Sequence, residues 1–191
     1  MKSILIIDNY DSFTYNLVHL LEEIPGIEVI VRRNDALEPK DAAMFDGILF
    51  SPGPGLPGEA GKMPELIRYF KLNKPMLGVC LGHQAIGEAF GGQLQNLERV
   101  YHGIQSTISI TQNQTGLFKK MPSKISVGRY HSWVVSQTRV PTDFRVTALA
   151  EDDTIMAMEH VSLPIYGVQF HPESIMTPEG KQIIENWIAT F

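Results

Sequence analysis

The sequence contains one cysteine among its 191 residues, so no disulfide can form within the chain. A small secreted domain stabilised by disulfides is therefore excluded. Basic residues are also scarce, since 16 Lys and Arg stand against 21 Asp and Glu and give a formal net charge of −5. Because phosphate binding needs a basic surface, this balance argues against a protein that binds nucleic acid.

Long apolar runs are absent, and no stretch is long enough to span a bilayer. The first apolar run, Ile4–Ile7, is short, ends at Asp8 and is not followed by a signal-peptide cleavage pattern. We therefore expect a cytoplasmic protein with no membrane association. No repeat, low-complexity tract or shift in composition divides the chain, so residues 1–191 are predicted to form a single domain.

The first half of the chain alternates strand and helix patterns. The apolar runs are continuous, as expected for strands buried on both faces of a parallel sheet. Apolar residues at helical spacing follow three of these strand-like runs, and residues 39–45 are predicted to form at most a short helix. This β-α-β-α order predicts a doubly wound parallel sheet flanked by helices. The predicted strands are residues 4–7, 28–31, 47–50 and 75–79, and the predicted helices are residues 13–24, 59–72 and 82–90.

The second half changes to short β-type runs separated by turn clusters such as residues 112–116 and 151–153. No helix of ordinary length fits between them, so this part of an otherwise mostly parallel, mixed sheet is expected to be antiparallel. A final helix is predicted from Thr177-Pro178, a cap residue followed by proline at the first helical position. The predicted strands here are residues 107–110, 125–130, 144–149, 154–158 and 165–170.

The most specific local motif is Gly78-Val79-Cys80-Leu81-Gly82, at the junction of a predicted strand and helix. It is a nucleophile-elbow pattern with cysteine in the place of serine. Flanking glycines permit the sharp turn, and the following helix N-terminus favours the thiolate form of Cys80. The backbone NH of Leu81 would face an oxyanion at the attacked carbon. The alternative is an inert buried cysteine.

Among six histidines, His171 is the best candidate for the base. In an extended strand Gln169, His171 and Glu173 lie on the same side, and Pro172 forbids a helix. A carboxylate two residues on can fix the tautomer of the imidazole and support its charged form. Together with the Cys80 elbow, the His171-Pro172-Glu173 segment predicts a Cys80–His171–Glu173 triad. Taken alone, this segment also fits an ordinary strand end at the surface.

The loop Ser51-Pro52-Gly53-Pro54-Gly55 directly follows a predicted strand, at the edge where doubly wound folds bind ligands. Its glycines allow a close backbone approach, so the loop is a candidate for a second oxyanion NH and a pocket wall. It lacks the Gly-Lys-Ser/Thr ending of a phosphate-binding loop. No pair of Cys/His motifs with metal-ligand spacing occurs in the sequence.

Together, residues 51–55, 78–84 and 170–173 closely resemble the triad (class I) glutamine amidotransferases. The segments 8–17, 33–35, 59–61 and 129–132 narrow the resemblance to the amidotransferase subunits of anthranilate synthase and aminodeoxychorismate synthase. It implies that Cys80 attacks the side-chain amide of L-glutamine, with His171 as base and acid and Glu173 orienting it. The resemblance further implies that the backbone NH groups of Gly53 and Leu81 form the oxyanion hole. The residues that it implies for substrate binding are Gly53, Pro54, Gly55, Gln84, Ser132 and Trp133.

The resemblance also implies a partner, a larger chorismate-binding synthase subunit that receives the ammonia. It implies no metal and no organic cofactor for this chain; Mg²⁺ is expected only in the partner subunit. Two positions depart from the family pattern: Ile104, where lysine is common, and Trp133, where leucine is common. The first departure is expected near the subunit interface, so partner contacts or activation would differ there.

Three other interpretations remain open. A stand-alone γ-glutamyl hydrolase or peptidase would turn over glutamine without a partner and have no use for residues 8–17. A catalytically silent module conflicts with the intact triad positions. A different biosynthetic amidotransferase, such as one making GMP, CTP or carbamoyl phosphate, fits the N-terminal segment poorly. Between anthranilate and aminodeoxychorismate, the sequence favours neither product, and it leaves the stoichiometry and the activity of the isolated chain open.

Overall fold

The computed structural model describes residues 1–111 and 116–191, and the part of the predicted turn at residues 112–115 lies outside them. Eleven β-strands and four α-helices are found in the described residues. The helices are α1 (Thr14–Glu22), α2 (Met63–Phe70), α3 (Leu81–Ala89) and α4 (Gly180–Ile188). The strands are β1 (Lys2–Asp8), β2 (Ile27–Arg33), β3 (Gly47–Phe50), β4 (Met76–Val79), β5 (Leu94–Asn96), β6 (Ile104–Ile110), β7 (Lys124–Arg129), β8 (Trp133–Val135), β9 (Phe144–Ala150), β10 (Ile155–His160) and β11 (Ile165–Val168).

Nine strands form one mixed sheet in the order β2-β1-β3-β4-β11-β10-β9-β6-β7. The first five strands in that order are parallel, and each later neighbour is antiparallel. The predicted fold class, a mostly parallel sheet with an antiparallel section from the second half of the chain, is confirmed. The register sets Ile7, Phe50, Gly78 and Gly167 side by side. The carboxyl ends of β1, β3, β4 and β11 therefore meet at one edge.

Helices cover both faces of the parallel strands, which explains the continuous apolar runs. Ile4 and Ile6 face a cluster that includes Leu17 of α1 and the fully buried Trp187 of α4. Their neighbours in β1 face the opposite cluster, which contains residues of α2 and α3. Because successive side chains of a strand point to opposite faces, a strand between two helical layers must be apolar at every position.

Three helix boundaries differ from the sequence predictions. Helix α2 is shorter than residues 59–72, because a 3₁₀ turn (Pro57–Glu59) and Gly61, with φ of +53°, precede it. Helix α1 begins at Thr14 without a side-chain cap, although the Asp11 carboxylate accepts the Phe13 NH at 2.8 Å. Helix α4 begins at Gly180, and Thr177 does not cap it.

The Thr177 hydroxyl is instead engaged in tertiary contacts. It donates to the carbonyl of His171 at 2.7 Å and accepts the Gly128 NH at 3.0 Å. This hydroxyl joins the turn after His171 to β7, so a residue predicted to start a helix fixes the end of a strand.

Two short strands were missed by the sequence analysis. Strands β5 and β8 form a separate antiparallel pair, with Asn96 opposite Trp133. Each has only three residues, too few for an alternation pattern to stand out. In the described ranges, no helix combines the length and the apolar character that a membrane crossing requires.

Candidate active site

Cys80 occupies a strained turn between β4 and α3. Its backbone has φ of +52° and ψ of −102°, a conformation that residues other than glycine rarely adopt. The Cys80 NH donates to the carbonyl of Val168 at 2.8 Å, which ties the turn to β11. The sharp strand-to-helix turn predicted from the sequence is therefore present.

The two glycines of the elbow are required by close backbone packing. A Cβ on Gly78 would lie 2.4 Å from the backbone of Gly82, and one on Gly82 would lie 2.4 Å from the carbonyl oxygen of Phe50. Backbone atoms cannot rotate out of the way as a flexible side chain can. Glycine at both positions thus lets α3 start directly against β3 and β4 and holds Cys80 at the sheet edge.

His171 and Glu173 form a buried pair next to the elbow. The Nδ1 atom of His171 lies 2.7 Å from Oε1 of Glu173, and their side chains are 3% and 0% exposed. The geometry differs from the extended strand that was expected. Strand β11 ends at Val168, and a turn follows in which the Ser174 NH donates to the carbonyl of His171. The turn, rather than strand alternation, brings the carboxylate to the imidazole.

The charge state of His171 is set by its two acidic neighbours. Burial lowers its pKa, but hydrogen bonding and charge interactions with Cys80 and Glu173 outweigh burial and raise the pKa to about 10. Nδ1 is occupied by Glu173, while Nε2 has no hydrogen-bond partner of ordinary geometry among the described residues. The Nε2 atom is thus the one available for proton exchange.

Gln169 also contacts Cys80, a contact for which the sequence predicted no role. Its Nε2 lies 3.6 Å from Sγ of Cys80, and its Oε1 accepts a hydrogen bond from Gln84 at 3.3 Å. Gln84 in turn donates to the carbonyl of Trp133 at 2.8 Å. These contacts connect the elbow to β8 and link Gln84 with Trp133, two residues predicted to bind substrate.

A cavity of about 190 Å³ opens beside Cys80. Every residue predicted to bind the substrate or form the oxyanion hole borders it, together with two that were not predicted, Tyr130 and His131. The lining residues are Gly53, Pro54, Gly55, Cys80, Leu81, Gln84, Tyr130, His131, Ser132 and Trp133. The pocket thus combines residues of the segments 51–55 and 78–84 with residues 130–133, while His171 and Glu173 do not line it.

The Gly53 loop is held against Asn9. The Asn9 NH donates to Oγ of Ser51 at 2.9 Å, and its Nδ2 donates to the Ser51 carbonyl at 2.8 Å. A Cβ on Gly53 would lie 2.6 Å from Cβ of Asn9 and 2.9 Å from Cδ2 of Leu81. Glycine is therefore the only residue that fits this packing, and the loop lies directly beside the start of α3.

His131 is a buried neutral wall of the pocket. Burial, and then the charge of Arg129, lower its pKa to about 3. The Arg129 Nε–H donates to Nε2 of His131 at 3.2 Å, and since arginine only donates, Nε2 must carry the lone pair. Arg129 is itself paired with Asp152 at 3.2 Å. Segment 129–132 contributed to the family resemblance, but it gave His131 no role, and only the tertiary fold shows this arrangement.

Three further histidines, His83, His19 and His160, make other contacts. The His83 ring is fully buried against Gly167, and burial lowers its pKa to about 4. His19 lies on the exposed face of α1, and Nδ1 of His160 accepts the NH groups of Ser162 and Leu163. Within residues 1–111 and 116–191, no three His, Cys, Asp or Glu side chains are arranged to hold a metal ion.

The family model for "Glutamine amidotransferase class-I" matches residues 5–191. Anthranilate synthase component 2 of Lactococcus lactis is 48% identical over 186 residues, covering 97% of this chain and 93% of the relative. Aminodeoxychorismate synthase component 2 of Escherichia coli is 46% identical over 187 residues, covering 97% and 98%. The bifunctional protein TrpGD of Thermotoga maritima is 44% identical over 191 residues. That match covers 98% of this chain but only 32% of the longer relative.

A solved structure has the same fold as this chain. A protein from Thermoplasma acidophilum, described as one subunit of a GMP synthase, superimposes with a TM-score of 0.88 at 27% identity. The match covers 99% of this chain and 93% of that one. The elbow cysteine, the buried His171–Glu173 pair and the pocket beside them thus occur in a chain matched along nearly its whole length. The protein belongs to the class I glutamine amidotransferases.

Proposed function

We propose that this chain is the glutaminase subunit of a chorismate-aminating synthase, which makes anthranilate or 4-amino-4-deoxychorismate. The observation that carries the proposal is the near full-length similarity to second components of both synthases, combined with the intact Cys80, His171 and Glu173 arrangement. A stand-alone γ-glutamyl hydrolase is the second candidate. None of these relatives carries such a name, so this candidate is not favoured.

The reaction begins with attack of the Cys80 thiolate on the side-chain amide carbon of glutamine. A C–S bond forms, the oxyanion is stabilised by the backbone NH groups of Gly53 and Leu81, and the C–N bond then breaks. The proton on Nε2 of His171 goes to the leaving nitrogen, which departs as ammonia. In the resting site the raised pKa keeps His171 in the imidazolium form, so the proton is already on the ring when the attack begins.

Water completes the cycle. Nε2 of His171, now neutral, takes a proton from water as the water oxygen attacks the thioester carbon. Collapse of the second oxyanion breaks the C–S bond and releases glutamate, and Cys80 returns as the thiolate beside the imidazolium. Glu173 holds the His171 tautomer through its contact with Nδ1. This sequence of steps uses only side chains and amides of this chain, with no metal or organic cofactor.

The pocket volume and lining suit the amino-acid part of glutamine. The cavity of about 190 Å³ fits one small polar molecule better than a peptide, which favours free glutamine. Gln84 and the backbone at Ser132 and Trp133 are proposed to hold its α-amino and carboxylate groups. Pro54 and Gly55 form the facing wall. Hydrogen bonding of Gln84 to the Trp133 carbonyl keeps the two sides of this subsite together.

The partner subunit is proposed to dock over the pocket edge. Tyr10 and Ile175 are 54% and 96% exposed, and both follow elements that end at the same sheet edge as Cys80. Ile104, which replaces the common lysine, is 37% exposed beside Gln105, and Gln105 bonds the Met176 carbonyl. Apolar side chains at such an edge fit a protein partner, and the partner's chorismate site would receive the ammonia. We also expect weak glutaminase activity until the partner binds.

The decisive experiment mixes the chain with each chorismate-binding synthase component of its own organism and supplies glutamine and chorismate. We expect an aminated product, and its identity assigns the pathway; two products would mean a shared subunit. Cys80→Ser should abolish glutamine-dependent amination and leave ammonia-dependent amination intact, as should His171→Ala. The exposed His19→Gln serves as the matched control.

The outcomes separate the candidates. If neither component yields a product while the isolated chain hydrolyses glutamine rapidly, the stand-alone hydrolase is the correct assignment. If Cys80→Ser retains normal glutamine hydrolysis, Cys80 is not the nucleophile. Full activity of the isolated chain, unchanged by the partner, would refute the expectation of partner-dependent activation.

A further inference from the structure

Two aromatic rings pack against the imidazole of His171, and neither has a part in the chemistry described above. The ring centroids of Tyr130 and His171 are 4.8 Å apart with planes inclined by 61°, and those of Phe13 and His171 are 5.6 Å apart at 71°. Phe13 and Tyr130 also contact each other at 5.3 Å. Each of the three rings therefore contacts the other two.

A histidine used for proton transfer needs more than one hydrogen bond to hold its ring. The Glu173 carboxylate fixes the position of Nδ1, but the second side-chain torsion of histidine is intrinsically broad, so the ring can still pivot about that contact. A pivot moves Nε2, the atom on the opposite side of the ring. Packing against Phe13 and Tyr130 limits this rotation and keeps bulk water from the imidazole.

The two rings are carried by anchored backbone. Phe13 directly precedes α1, and its NH donates to the Asp11 carboxylate at 2.8 Å. Tyr130 directly follows β7, and its hydroxyl lies 3.3 Å from Oγ of Ser174, in the turn that carries Glu173. Both residues belong to sequence segments, 8–17 and 129–132, that the sequence analysis singled out without giving these side chains a role. The structure shows both segments converging on His171.

We propose that Phe13 and Tyr130 are positioning residues, which hold Nε2 of His171 toward Sγ of Cys80. This inference rests on the proposed function, since it takes His171 as the proton-transfer group. The rings touch neither sulfur nor the reacting carbon in this role; they act through the orientation of the imidazole. Their loss should therefore slow the chemical steps and leave glutamine affinity nearly unchanged.

The single cysteine of the chain permits a direct test. Alkylation of the isolated full-length chain by iodoacetamide, followed by mass spectrometry at pH 7, reports only on Cys80, and a thiolate held by a nearby imidazolium reacts faster than an ordinary thiol. His171→Ala defines the rate without the imidazole. We expect Phe13→Leu to slow alkylation about tenfold, toward that limit. Tyr15→Leu, at an aromatic side chain that is 60% exposed, is the matched control and should keep the wild-type rate.

A second variant and a second readout protect the test against misfolding. Phe13→Met keeps an apolar side chain without a ring and should slow alkylation as Phe13→Leu does. In the complex with the synthase component, both variants should lower kcat for glutamine by about tenfold and change KM by less than about twofold. Thermal unfolding of each variant shows whether the fold is intact.

The proposal is overturned if the two Phe13 variants are alkylated as fast as Tyr15→Leu while His171→Ala is slow. It is also overturned if they raise KM with kcat unchanged, because that pattern indicates substrate binding. A His171→Ala variant that reacts at the wild-type rate is a different result. In that case His171 does not activate Cys80, so the proposed mechanism fails and the positioning role fails with it.

Discussion

A methyl group on Gly53 tests the oxyanion assignment most directly. A Cβ at this position lies 2.6 Å from Cβ of Asn9, 2.8 Å from its carbonyl oxygen and 2.9 Å from Cδ2 of Leu81. Since optimal carbon contacts lie at about 3.5–4.0 Å, relief of the clash needs a shift of roughly 1 Å. Asn9 is buried and bonded to Ser51 twice, so the shift falls mainly on the loop at Gly53.

The size of the effect follows from that displacement. A misplacement of about 1 Å can cost about 10²-fold in rate, and loss of one oxyanion donor costs about 10²–10³-fold. We therefore expect Gly53→Ala to lower kcat for glutamine about 10²-fold, equivalent to about 2.7 kcal/mol of transition-state stabilisation. Overpacking of this kind destabilises a fold by about 1–3 kcal/mol, so the variant should still fold at 25 °C.

The assay compares glutamine-dependent with ammonia-dependent amination in the complex, over a series of glutamine concentrations. Gly58→Ala is the matched control, because it lies in the same loop region and a Cβ there meets no atom within 4 Å. Ammonia-dependent amination should be the same for both variants. If folded Gly53→Ala has a kcat within about twofold of Gly58→Ala, the Gly53 NH has no part in stabilising the oxyanion.

Two further predictions concern charge. Glu173→Gln removes a negative charge that helps to raise the pKa of His171, so kcat should fall about 10⁴-fold, less than the loss of about 10⁶-fold expected for Cys80→Ser. A rate equal to that of the exposed Glu65→Gln would refute the role of Glu173. Burial lowers the pKa of His83 to about 4 and that of His131 to about 3, so only the unfolded chain binds their protons between pH 6.5 and 4. Their contribution to stability is complete above pH 6.5 and is lost as pH falls, by up to about 1.4 kcal/mol per pH unit for each histidine. Urea unfolding of His131→Gln should show a shallower loss over this range, and an unchanged pH slope would contradict the assignment.

The parallel half of the fold could be predicted because four of its five strands, β1, β3, β4 and β11, are largely buried on both faces, whereas the edge strand β2 is only partly buried. Such a strand leaves a continuous apolar run, and for residues 47–50 the predicted strand agrees with β3 at both ends. The helix boundaries were less predictable. Thr177 has the sequence of a helix cap, but its hydroxyl is engaged by His171 and Gly128, and helix α4 begins three residues later. Local sequence carries no information about a partner 49 residues away.

In the candidate site, too, residues with a local sequence signal could be predicted and residues that depend on tertiary contacts could not. Cys80 could be identified because its strain is local, so the glycines that allow the turn lie within two residues of it. His171 and Glu173 were identified from extended-strand alternation, yet they meet through a turn. Asn9 and His131 lie in the segments 8–17 and 129–132 that carry the resemblance, but no role could be assigned to them, since their importance comes from tertiary contacts with the Gly53 loop and with Arg129.

Strand order explains which parts of the site the sequence could reveal. Strands β1, β3, β4 and β11 are consecutive neighbours, and their parallel carboxyl ends lead to Asn9, Gly53, Cys80 and His171 respectively. A rule that places ligands at this edge therefore collects the reacting groups from sequence alone. The opposite wall, residues 130–133, consists of the connection between β7 and β8 and the first residue of β8. It lies outside the parallel strands, so this rule does not cover it, and Ser132 and Trp133 were predicted there only from the family resemblance. That wall faces the substrate's amino-acid end in the proposed mechanism. We therefore expect related chains that bind a different substrate to differ at residues 130–133. Related chains that carry out a different reaction should differ at the four strand ends.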